Sequence, residues 1–154
     1  MVSLLAARRV CWQHSMAQLP VELILMRQLA SYLATPIFLV GPEGELLFYN
    51  EAAEGVLAYR FDEAVELPLA QWIREFPLFN TESGEPLSVD EIPVLRALRE
   101  RDPVHGSLLY ERPSGERVPV LATAIPLVGQ GGRVLGAAAI FWPVSGGASG
   151  GASA

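Results

Sequence analysis

Residues 36–50 read PIFLVGPEGELLFYN, and the fold is decided there. Two apolar runs, Ile37–Val40 and Leu46–Tyr49, flank Gly41, Pro42, Glu43 and Gly44. Short, partly aromatic apolar runs bounded by Gly and Pro predict strands, and a Gly-containing loop of this length predicts a hairpin. Gly44 supplies the positive φ such a loop needs near its end, and Pro42 pre-sets the φ of a turn's second position. Asn50 follows the second strand directly, with Glu51, Ala52, Ala53 and Glu54 behind it. Asn is a preferred N-cap, and acidic residues in a first turn are favoured by the helix dipole. The hairpin is therefore expected to run straight into a helix over 51–58, with Asn50 as its structural cap.

Working outward, residues 59–68 read as loop with a turn near Asp62. Leu69, Trp72, Ile73 and Phe76 then recur at i, i+3, i+4 and i+7, which predicts an amphipathic helix that stops before Pro77. Residues 79–87 read as a polar loop. Ser88 and Glu91 match the capping-box spacing, but a helix starting there would carry Pro93 past its first turn and lose an internal hydrogen bond. Asp90 is the better cap, with a helix over 91–101 that buries Val94, Leu95 and Leu98. Three strands follow, over 106–111, 117–125 and 133–142, and Pro119 suggests an edge position or a bulge in the second of them. The last strand is apolar on both faces, so both faces need a cover. The helices within 51–101 serve one face and an N-terminal helix the other.

That N-terminal helix is expected over 20–34, opening on Pro20, where a missing N–H costs nothing. At roughly 100° per residue, Val21, Leu25, Met26, Leu29, Ala30, Tyr32 and Leu33 share one broad apolar arc, with Arg27, Gln28 and Ser31 opposite. Such a helix can pack on its own sheet, and its width also suits pairing with a second copy through Leu25 and Leu29. Residues 1–19 read as a poorly ordered extension in which Met16 is an alternative start. Residues 145–154 contain only Gly, Ser and Ala and read as a flexible tail.

Strand, turn, strand ending in Asn50 and short Ala-rich helix together resemble the opening of a PAS domain. The likeness continues at Arg112-Pro-Ser-Gly115-Glu116, similar to that family's second hairpin turn, and ends at residues 136–142, similar to its last strand. Gly41 departs from the pattern, because many members carry Asp there. The resemblance implies one α/β domain of α+β type over 36–144: a five-stranded antiparallel sheet, intermediate helices on one face and an N-terminal helix. PAS domains are small sensory and interaction modules that hold ligands between the inner sheet face and those helices. The implied pocket walls are Trp72, Phe76, Leu95 and Leu98 facing Phe38, Phe48, Ile125 and Phe141. Aromatic and aliphatic residues at these spacings also simply fill cores, so a dimerisation or scaffolding domain without a ligand is the alternative.

Composition narrows the functions. The 154-residue chain is 51% hydrophobic, enough for one ordinary core, and has a net charge of −6. All eleven basic residues are Arg and they do not cluster, so no nucleic-acid partner is expected. No apolar run reaches the roughly 20 residues of a membrane span. A lone Cys11 allows neither an intrachain disulfide nor a CxxC metal site and suits a cytoplasmic protein. Gly147-Ala-Ser149-Gly-Gly151 spells G-x-S-x-G, but the tail lacks the strand-to-helix turn that a nucleophile elbow requires. Gly129, Gly131 and Gly132 precede a strand and lack a third dinucleotide-binding glycine. His105 reads as a surface hydrogen-bonding residue. No catalytic constellation or metal site emerges. Against the family's cofactor-binding members, the helix before His105 has no His and no Cys follows Cys11, so neither haem nor flavin is expected. Together with the resemblance, which implies a sensory module and its pocket, these exclusions lead to the expectation of a non-enzymatic module with a small apolar ligand, a homodimer, and an effector protein supplied by another chain.

Overall fold

A computed structural model describes residues 19–60 and 66–144. Strands β1 (Ile37–Val40) and β2 (Leu46–Tyr49) form the anticipated hairpin, with Phe38 opposite Tyr49 and Leu39 opposite Phe48. The register shifts before Val40, which faces Leu46, so Leu47 is a bulge residue. Gly44 takes φ 83°, a left-handed conformation that strains any side-chain-bearing residue. At Gly41 the Glu45 carboxylate folds into the space that a side chain would enter. Glu45 Oε2 accepts the Glu43 N–H at 2.9 Å, so Glu45 supplies a turn-bracing carboxylate beside the position where the family pattern has Asp.

Helices α2 (Glu51–Leu57) and α3 (Leu69–Glu75) follow, then the two-residue strand β3 (Leu78–Phe79). Helix α4 (Pro93–Glu100) precedes β4 (Val104–Glu111), β5 (Arg117–Val128) and β6 (Val134–Pro143). The antiparallel sheet has six strands in the order β2-β1-β6-β5-β4-β3, one more than expected. The addition is β3, whose two residues are too few to show an alternating pattern.

Two further expectations need correction. Ser88 and Glu91 do form a capping pair: the Glu91 carboxylate accepts the Ser88 N–H at 2.9 Å. It serves a single 3₁₀ turn, Val89–Glu91, which ends at Ile92, so Pro93 opens a separate helix at its first position and no bond is lost. Pro119 lies on β5, which is interior and not an edge. Its carbonyl accepts the Val144 N–H, so its missing N–H points towards β6 just beyond the last β5–β6 pair, Val120 with Pro143. No ladder bond to β4 is sacrificed.

Alternation divides the strands between two cores. The inner face carries Phe38, Val40, Tyr49, Leu108, Tyr110, Val120, Ala122, Ala139 and Phe141 beneath α2, α3 and α4. The outer face carries Ile37, Leu39, Phe48, Leu135 and Ala138 beneath helix α1 (Val21–Tyr32). Helix α1 buries only part of the predicted arc. Leu23 and Ala30 are buried and Met26 is partly so, while Val21, Leu25, Leu29 and Tyr32 are exposed. Apolar side chains surround much of this helix, so their mean direction does not select the packed face. Arg27, placed opposite the arc by the wheel, lies 5.1 Å over the Phe48 ring. The N-terminal extension through residue 18, the turn near Asp62 and the 145–154 tail lie outside the described residues.

Candidate functional site

Between the inner sheet face and the helices lies a cavity of about 70 Å³. The sheet contributes Phe38, Leu78, Leu108, Tyr110, Val120, Ala122, Ala139 and Phe141. Helix α2 adds Val56 and Leu57, α3 and its end add Trp72 and Phe76, and the approach to α4 adds Ile92, Pro93 and Val94. Phe76 is the hub of the aromatic wall. It meets Phe38 edge-on at 6.1 Å, Tyr49 at 5.9 Å and Tyr59 at 5.6 Å, the edge-to-face geometry that ring quadrupoles favour. Trp72 packs edge-on against Phe38 at 5.2 Å and donates its indole N–H to the Gly44 carbonyl at 2.7 Å, tying α3 to the first hairpin turn.

Four of the eight predicted pocket residues, Phe38, Trp72, Phe76 and Phe141, line this space together. Leu95 is buried in the same core and Leu98 packs at its margin, but neither borders the cavity. Phe48 and Ile125 belong to the opposite face. Phe48 pairs with Leu39, and Ile125 pairs with Ala138, both outer-face residues. A register off by one residue exchanges the two faces, so the inner positions are Tyr49 and Ala124 instead. Tyr110, Val56 and Leu57 were missed. Alternation along β4 was the available signal for Tyr110, whereas no periodicity marks which end of a seven-residue helix borders a cavity.

Residues 34–142, well over half of the chain, match the family model for the PAS domain. The chain belongs to the PAS domain family. Solved structures agree on the fold. A PAS domain from Colwellia psychrerythraea superposes with a TM-score of 0.57 at 16% identity, over 79% of this chain and 96% of that one. The LOV protein of Rhodobacter sphaeroides gives 0.63 at 11% identity, over 84% and 71%. The light-state dimer of the fungal blue-light photoreceptor Vivid gives 0.54 at 14%, over 71% and 77%. No curated protein matches the chain in sequence.

In this PAS domain the polar atoms near the cavity are already committed. Tyr110 donates its hydroxyl hydrogen to the Leu57 carbonyl at 2.8 Å, and Arg112 Nε reaches the Val56 carbonyl at 3.1 Å. Both bonds satisfy carbonyls at the C-terminal end of α2, which has no later turn to do so. Tyr49 likewise donates to the Tyr59 carbonyl at 3.1 Å. Burial pushes the Tyr110 phenol up to about 12, and burial with the nearby Glu54 charge raises Tyr49 further.

Asn50 does more than cap. Its Oδ1 accepts the Ala53 N–H at 3.0 Å, which is the cap, and also the Ile37 N–H at 3.0 Å. Its Nδ2 faces the carbonyls of Ala30 at 2.9 Å, Thr35 at 2.8 Å and Leu33 at 3.3 Å. At 2% exposure, one side chain therefore joins the end of α1, the start of β1 and the start of α2. The sequence disclosed the cap but not these longer-range bonds. His105 is exposed and pairs with Thr123 Oγ1 at 3.0 Å. Among the described residues no group of His, Cys, Asp and Glu could hold a metal, and no helix is long and apolar enough to cross a membrane.

Proposed function

We propose that this PAS domain is a non-enzymatic sensory or regulatory module that takes a small apolar ligand into the cavity and passes the change through α1 to another chain. The carrying observation is mechanical continuity. Val56 and Leu57 at one end of α2 wall the cavity, and Asn50 at the other end holds the final carbonyls of α1. A two-turn helix transmits displacement between its ends with little loss. Helix α1 in turn presents Val21, Leu25, Leu29 and Tyr32 to solvent, an apolar stripe at helical spacing. A second copy meeting it about a two-fold axis would cover both stripes at once, so the module is read as a homodimer with Leu25 and Leu29 at or near the interface. Vivid, itself described as a light-state dimer, is compatible with that assembly.

The reading places the protein in the cytoplasm, with an effector protein supplied in trans and neither nucleic acid nor membrane as partner. It includes no haem or flavin: α4 carries no His, and no described lining residue is His or Cys. A second reading, a dimerisation or scaffolding domain with a filled core, is favoured by the modest size of the cavity. The two separate on ligand recovery. Protein purified from its native host is denatured and the released small molecules are identified by mass spectrometry. Near-stoichiometric recovery of one apolar compound supports the sensor. Repeated recovery of none, from a protein that remains dimeric and whose cavity also takes up no small apolar probe added in solution, supports the scaffold.

A further inference from the structure

Resting on that reading of the cavity, we infer that its ligand is an uncharged molecule without hydrogen-bonding groups and smaller than benzene, in the class of light hydrocarbons and dissolved apolar gases. The cavity is small. An apolar cavity that stays dry and admits benzene measures about 150 Å³, and this one is about 70 Å³. Its lining is also apolar. Every described lining residue is apolar or aromatic, with no charged side chain to meet a carboxylate or an ammonium group. The two polar side-chain atoms of the wall spend their hydrogens on main-chain carbonyls, Tyr110 on Leu57 and Trp72 on Gly44. A ligand carrying a hydroxyl or carboxylate would give up water and meet a cavity surface that presents no polar atom, a penalty that apolar molecules escape.

The wall also resists expansion. Phe76 is fixed by edge-on contacts with Phe38, Tyr49 and Tyr59, so a larger guest would have to displace several rings together. Ala122 on β5 and Ala139 on β6 are the small side chains of the floor, and they leave the space that bulkier residues would occupy.

The experiment is methyl NMR on the full chain, titrated separately with xenon, propene, 1-propanol and benzene. Xenon and propene are expected to shift the methyl signals of Val56, Leu57, Val94, Ala122 and Ala139. Propanol should bind at least ~10-fold more weakly than propene, and saturating benzene should leave these signals in place. Ala139→Val should abolish the xenon shifts, and Ala122→Val serves if the first variant does not fold. Benzene or propanol acting on the same methyls as strongly as propene would overturn the ligand class while leaving the site intact. No shift from any of the four probes would overturn the ligand reading itself, and this inference with it.

Discussion

The two faces of one sheet have opposite characters. On the inner face, three helices cover the strands, and Trp72, Phe76 and Tyr110 are each 2% exposed. On the outer face, among the described residues, a single helix covers them, and that helix leaves Leu25 57% and Leu29 54% exposed. Strand alternation feeds apolar residues to both sides, more of them to the inner one, and the covering layers differ as well. The inner layer is packed ring against ring and carries the stability of the domain. The outer layer ends in an exposed apolar stripe, Val21, Leu25, Leu29 and Tyr32. Asn50 is the joint between them, because its donors hold α1 and its acceptor holds α2 and β1.

The comparison breaks most severely at the aromatic hub. Phe76→Ala should lower the free energy of unfolding by about 3–5 kcal/mol in a denaturant titration, since it removes a fully buried ring and leaves a void. A loss below about 1 kcal/mol would mean that the inner face collapses freely and is not the rigid layer described here.

Next in size is Asn50→Ala. A cap alone is worth about 0.5–2 kcal/mol, but this substitution also strands the Ile37 N–H and two or three carbonyls away from water. The expected loss is about 3 kcal/mol. Asn50→Asp sharpens the test, because it keeps the acceptors and removes the donors. Hydrogen exchange should then quicken in α1 more than in α2, and equal quickening would show that the donors do not hold α1 separately from α2.

A smaller effect concerns pH. The phenols of Tyr49 and Tyr110 titrate above their ordinary value near 10 in the folded chain. The folded state thus holds these protons more tightly than the unfolded chain does. Their contribution is complete below about pH 10 and declines as pH rises through about 12 for Tyr110. The melting temperature should fall across that interval, and the slope should flatten in Tyr110→Phe. A melting temperature independent of pH there would contradict the burial of these rings.

Much of this organisation was legible in the sequence, and the failures have physical causes. The hairpin, its Gly44 turn and the Asn50 cap depend on local chemistry, which a linear reading sees directly. Phe48 and Ile125 went to the wrong face because a strand's register is set by its partner: the bulge at Leu47 and the pairing of Ile125 with Ala138 are long-range facts. Of the apolar arc expected on α1, Met26 and Ala30 turn to the sheet together with Leu23 from outside it, while Leu25 and Leu29 stay exposed. A helix apolar nearly all round does not encode which side its own sheet will take. Strand β3 escaped notice for want of length, and the outer bonds of Asn50 because its carbonyl partners carry no sequence signature.

The measurement that tests the two-faced account most directly is light scattering on the intact chain and on the double variant Leu25→Glu, Leu29→Glu, paired with thermal unfolding. Both positions are more than half exposed, so each surface substitution should move stability by no more than about 0.5 kcal/mol. The account predicts that the intact chain scatters as a dimer and that the double variant scatters as a folded monomer. An intact chain that remains monomeric at high micromolar concentration would contradict it. So would a double variant that stays dimeric, because the contact would then lie somewhere other than on α1.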